Sequence, residues 1–85
     1  MEKYKIEIKK SAIKELNSIP QKDIQKIISK IQSLSSNPKP LGCTKLTNRE
    51  DYRIRVGNYR IIYSINDDIL IITVIKIGHR KEIYR

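Results

Sequence analysis

Apolar residues recur along this chain with two different periods, and the switch between them divides it. Tyr4, Ile6 and Ile8 alternate with charged residues from Lys3 to Ile8, the period-two pattern of a strand with one buried face. Ser11, with Glu15 nearby, is a natural N-cap for a short helix that buries Ala12, Ile13, Leu16 and Ile19. Pro20 restarts the chain, since proline suits the first turn of a helix. Ile24, Ile27, Ile28, Ile31 and Leu34 then follow at helical spacing, the clearest signal in the sequence. Ser35-Ser36-Asn37-Pro38-Lys39-Pro40 ends that helix and opens a loop that runs through Gly42 to about Asn48. Period two returns in Tyr52 to Val56 and Tyr59 to Ile65, which flank Gly57-Asn58 as a two-residue hairpin. Asn66-Asp67-Asp68 forms the next turn. Ile69 to Ile77 is apolar at odd and even positions alike, which predicts a central strand buried on both faces. Gly78 is expected to break it, leaving a short tail from His79 to Arg85. The expected fold is α+β, in the order β-α-α-β-β-β, with two helices on one face of a small, mainly antiparallel sheet.

Length narrows this further. At 85 residues, positions 1–85 make a single domain with a modest core. No apolar run reaches the length of a membrane span, and the first residues lack the apolar stretch of a secretion signal. One cysteine, Cys43, allows no internal disulfide and no metal cluster, and is read as a small apolar filler. A cytoplasmic protein without metal or small-molecule cofactor is the expectation.

Charge changes the picture more. The chain carries 18 lysines plus arginines against 9 acidic residues, a net charge of +9. Such a field favours nucleic acid, an anionic membrane surface or an acidic protein partner. All ten cations up to Asn48 are lysine, whereas arginine enters only at 49, 53, 55, 60, 80 and 85. Arginine grips phosphate with a planar, bidentate fork that lysine lacks.

The hairpin register collects several of these arginines. With Gly57-Asn58 as the turn, Arg55 lies opposite Arg60 and Arg53 opposite Ile62. Tyr52, Ile54, Val56, Tyr59, Ile61 and Tyr63 then face the helices, and Arg53, Arg55 and Arg60 share the other side. Like charges placed opposite each other destabilise a strand pair. Such a face is either an anion site or a solvated surface that discourages edge pairing. Beyond the last strand, Arg80 can grip phosphate and Tyr84 can stack on a base. His79 is the single histidine and the one side chain that titrates near neutral pH, so it is a candidate general acid or base.

The run from Asp51 to Tyr63, Asp-Tyr-Arg-Ile-Arg-Val-Gly-Asn-Tyr-Arg-Ile-Ile-Tyr, and the run from Ile77 to Tyr84, Ile-Gly-His-Arg-Lys-Glu-Ile-Tyr, resemble the RelE/ParE toxin superfamily, on its RelE side. The resemblance extends over the whole chain in length and element order, and these two motifs are its specific part. It implies a ribosome-dependent endoribonuclease that cuts messenger RNA in the A site without a metal. A ribose 2′-hydroxyl attacks the neighbouring phosphate, leaving a 2′,3′-cyclic phosphate and a 5′-hydroxyl. By position, Arg53, Arg55, Arg60 and Arg80 would hold the scissile phosphate and Tyr84 would stack on or orient the substrate. Lys45, Arg49, Lys76, Lys81 and Arg85 are further candidates for contacts to RNA or ribosome. The implied partners are the ribosome, messenger RNA and an acidic cognate antitoxin.

This sequence departs from the best-known RelE pattern at Arg53 and Arg55, where lysines stand and one is a proposed general base. Arginine stays protonated and is a poor base. The proton must pass to His79, Tyr84, the terminal carboxylate or the ribosome. Two rivals remain at this stage: a ParE-like toxin that poisons gyrase without nuclease activity, and a non-catalytic RNA-binding module.

Overall fold

The structure is a computed structural model that describes residues 3–46 and 50–79. A strand β1 (Lys5–Ile8) leads into helices α1 (Lys10–Asn17) and α2 (Gln21–Ser33). Strands β2 (Thr44–Lys45), β3 (Asp51–Val56), β4 (Tyr59–Asn66) and β5 (Ile71–His79) follow. They form one five-stranded sheet in the order β1-β5-β4-β3-β2, antiparallel except where β1 runs parallel to β5. The α+β order read from the sequence holds, with the two-residue β2 added inside the segment expected to be loop.

The helical stripe packs as its spacing requires. Ala12, Leu16, Ile19, Ile27, Ile31 and Leu34 are buried against Ile54, Ile61, Tyr63, Ile72, Val74 and Ile77 of the sheet. Ile13, expected in this core, is 43% exposed. Ser11 is not the N-cap of α1. Lys9 holds that position, with no side-chain hydrogen bond, because the helix begins directly where β1 ends.

Glu15, read as part of that helix start, does something else. Its Oε1 accepts the Ile77 N–H at 3.0 Å, and its Oε2 accepts from Lys76 Nζ at 3.1 Å. The parallel partner β1 stops opposite Val74, so this carboxylate takes over the exposed flank of β5. Replacing Glu15 with alanine leaves a strand amide without its acceptor. A loss of about 1–3 kcal/mol in chemical denaturation is expected.

The both-parity apolar run of β5 has a different cause from the one expected. The β4–β5 register shifts between Ile62 and Tyr63, pairing Ile62 with Lys76 but Tyr63 with Val74. Ile75 is thus an extra residue in the ladder, and side-chain parity flips across it. Ile72, Val74 and Ile77 all reach the same core face. The strand buried on both faces is β4, through consecutive Arg60, Ile61, Ile62 and Tyr63. Nor does Gly78 end β5, which continues to His79. The turn before β5 lies one step later than expected. Asn66 Oδ1 accepts the amides of Asp68 and Ile69, and Leu70 has a φ of 55°.

Tyr63 is wholly buried, stacks on Tyr52 at 5.9 Å and donates its hydroxyl to the Pro38 carbonyl at 2.7 Å. Burial pushes its phenol well above the ordinary value, and the neighbouring Cys43 adds to this. The folded state therefore favours the protonated phenol. Its contribution is complete below the ordinary phenol range near 10 and is lost as pH climbs above it. Tyr63→Phe is expected to cost about 1 kcal/mol at neutral pH. It should also move alkaline unfolding to higher pH, as followed by circular dichroism.

Candidate functional site

The β3–β4 hairpin builds the site. Gly57 has a φ of 58°, the left-handed first position of a type II′ turn, and a Cβ there would meet no neighbour within 4 Å. Conformation rather than space therefore selects glycine. The tight turn sets the register read from the sequence: Arg55 opposite Arg60, Arg53 opposite Ile62, Tyr52 opposite Tyr63. Tyr52, Ile54, Val56, Tyr59, Ile61 and Tyr63 pack towards the helices, so alternation sends Arg53, Arg55 and Arg60 to the other face.

The three arginines differ in setting. Arg55 is exposed, Arg53 half-buried, and Arg60 only 4% exposed. A guanidinium buried that deeply keeps its charge, because arginine does not deprotonate in proteins. All three line one cavity of about 360 Å³. Lys30 from α2 and Thr44 from β2 add to the polar wall, and among the described residues no acidic side chain lines it. Thr44 pairs directly with Arg53. Asp51 shares the parity of Arg53 but sits opposite Ser64, at the far end of the row, and is not part of the cavity wall.

Other candidates lie apart from this cavity. Lys45 stands opposite Tyr52, on the helix side, and pairs with Glu50 at 3.6 Å. Lys76 is held by Glu15 of α1 at 3.1 Å, a role in the fold. His79 lies opposite Tyr59, and the two rings meet edge to face with centroids 5.8 Å apart. That places the imidazole on the helix side, beside Glu15, Ser18 and Ile19, across the sheet from the arginines. A role for His79 as proton acceptor within the arginine cavity does not follow from this placement. Arg49, Arg80, Lys81, Tyr84 and Arg85 lie outside the described residues.

Sequence reasoning missed Lys30 and Thr44. Lys22, Lys26 and Lys30 recur every four residues and mark a basic helix face, a signal that could have been used. Thr44 left no such trace, since its strand is two residues long.

Arg55 opposite Arg60, with Arg53 beside them, brings three guanidinium side chains to one cavity whose described wall holds no carboxylate, and a guanidinium is a planar fork that suits phosphate or carboxylate oxygens. Residues 6–84 match the family model described as the ParE toxin of the type II toxin–antitoxin system, parDE. Toxin RelE3 of Methanocaldococcus jannaschii is 38% identical over 85 aligned residues, spanning 94% of each chain. The protein named RelE1 of the same organism is 31% identical across 98% of this chain and 97% of its own. A chain in the archaeal RelE–RelB complex of Pyrococcus horikoshii superposes with a TM-score of 0.84 at 29% identity, covering 94% of this chain and 98% of that one. The protein belongs to the RelE/ParE family and is a toxin of a type II toxin–antitoxin system.

Proposed function

We propose that the arginine face binds the scissile phosphate of messenger RNA in the ribosomal A site and promotes cleavage by the adjacent 2′-hydroxyl. The observation that carries this reading is the convergence of Arg53, Arg55 and Arg60 on one cavity with no carboxylate in its wall among the described residues. The 2′-oxygen bonds to phosphorus and the bond from phosphorus to the 5′-oxygen breaks. A 2′,3′-cyclic phosphate and a 5′-hydroxyl result. Negative charge gathers on the non-bridging oxygens on the way, and preoriented guanidiniums stabilise it more than they stabilise the ground state. The proton of the 2′-hydroxyl leaves to a group of the C-terminal tail or the ribosome, and the 5′-oxygen is protonated as it departs. Arg80 and Tyr84 would complete the site.

The relatives named RelE support the nuclease reading, and the Pyrococcus horikoshii RelE–RelB complex supports an antitoxin as partner. An acidic antitoxin segment would neutralise the same cations and block the cavity. The test uses purified protein with programmed ribosomes, with naked messenger RNA, and with gyrase and plasmid. Cleavage only on ribosomes, with ends of the stated chemistry, is the expected result. RNA binding without cleavage would overturn it in favour of a binding module. The name of the matching family model favours one further reading, a gyrase-directed toxin. Loss of supercoiling without RNA cleavage would establish that instead.

A further inference from the structure

Lys30 and Arg55 have a second surface. Together with Lys26, Ser29, Ser33 and Val56 they line a shallow groove of about 550 Å³. Both residues also line the arginine cavity, so cavity and groove share a wall. Positions 26, 29, 30 and 33 form one face of α2, since residues three, four and seven apart stack on a helix. The cationic surface therefore runs over the edge of β3 and along that helix. Lys26 and Lys30 are one turn apart, about 6 Å along the axis. Neither they nor Arg55 forms a salt bridge among the described residues. Past Lys26 the run ends at Asp23, which accepts the Tyr59 hydroxyl at 3.4 Å.

We propose that this groove is a phosphate track for the substrate's own RNA strand, holding the backbone that flanks the scissile phosphate. The inference rests on the reading of the arginine cavity given above. Continuity with that cavity favours the same strand over a separate molecule. The groove's chemistry favours a backbone over a peptide. Its charged heads are those of Lys26, Lys30 and Arg55, beside two serines, Ser29 and Ser33; its apolar surface comes from Val56 and the methylene stems of the cations, and among the described residues it holds no aromatic ring of the kind that anchors protein interfaces. Such a track reads no sequence and acts through charge.

The test is binding of fully 2′-O-methylated RNA, which cannot be cleaved, by fluorescence anisotropy across a salt series. Lengths of about three and about twelve nucleotides separate the cavity from the track. Lys26→Ala is expected to weaken the longer RNA several-fold and to lower its salt slope by about 0.7, the value for one phosphate contact to a single strand. Binding of the short RNA should stay within twofold. Lys14→Ala, at an exposed lysine of α1 that lines neither cavity nor groove, is the control and should change neither. Equal losses for Lys14→Ala and Lys26→Ala would reduce the effect to general charge and overturn the track, as would equal losses at both lengths. No change for Lys26→Ala, or a loss confined to an oligoglutamate probe, would also overturn it, the latter in favour of an acidic protein partner. Failure of the short RNA to bind at all would refute the cavity reading instead, and the track with it.

Discussion

Arg55→Ala is expected to cut messenger RNA on programmed ribosomes roughly 10²–10³-fold more slowly than the parent chain, the typical cost of losing one preorganised donor to a developing oxyanion. Its melting temperature should not fall. Arg55 is exposed and stands directly opposite Arg60, so its removal takes away a like-charge pair in the ladder. A gain of a few tenths of a kcal/mol is the expected direction, and activity lost while stability is kept or raised marks a residue retained for binding rather than folding. Arg60→Ala is a poorer probe because a side chain only 4% exposed also fills space. Arg55→Lys should recover activity only in part, since a point charge cannot reproduce the fork. Single-turnover cleavage measured beside thermal unfolding decides the matter. Wild-type activity in Arg55→Ala would remove this residue from the site. Lost activity with a collapsed melting temperature would make it structural.

Ile27→Ala should produce the largest loss of stability. Ile27 is fully buried in the middle of α2 and belongs to the single core shared by both helices and the sheet. Truncation of such a residue typically costs about 2–5 kcal/mol, through lost transfer free energy and the cavity left behind. Against a total of roughly 5–15 kcal/mol, that is a large fraction of what holds a small domain together. A drop in melting temperature of at least about 10 °C is expected, since 1 kcal/mol moves a domain of this size by roughly 4–8 °C. A change below about 1 kcal/mol would place this helix face outside the core.

Much of this architecture is local and therefore legible in the residues themselves. The Ile24 to Leu34 stripe specified α2 because only a helix brings those positions to one side. Gly57-Asn58 specified the hairpin, and side-chain alternation then put Arg53, Arg55 and Arg60 on one face with no further information. The two C-terminal motifs carried the family. What the sequence could not show depends on contacts between distant segments. The bulge at Ile75 makes one core-facing stripe look like two-sided burial, because the parity flip is decided by pairing with β4. Glu15 resembles part of a helix start until α1 is laid against the unpaired flank of β5, 62 residues away. His79 and Arg60 read alike as exposed chemistry, but the sheet sends one to the helix side and buries the other. Lys30 joins the arginines because α2 lies against β3. Periodicity determined which residues share a face. Only tertiary packing decided what each face meets, because burial and charge neighbourhood are set by chain segments that the local pattern does not contain.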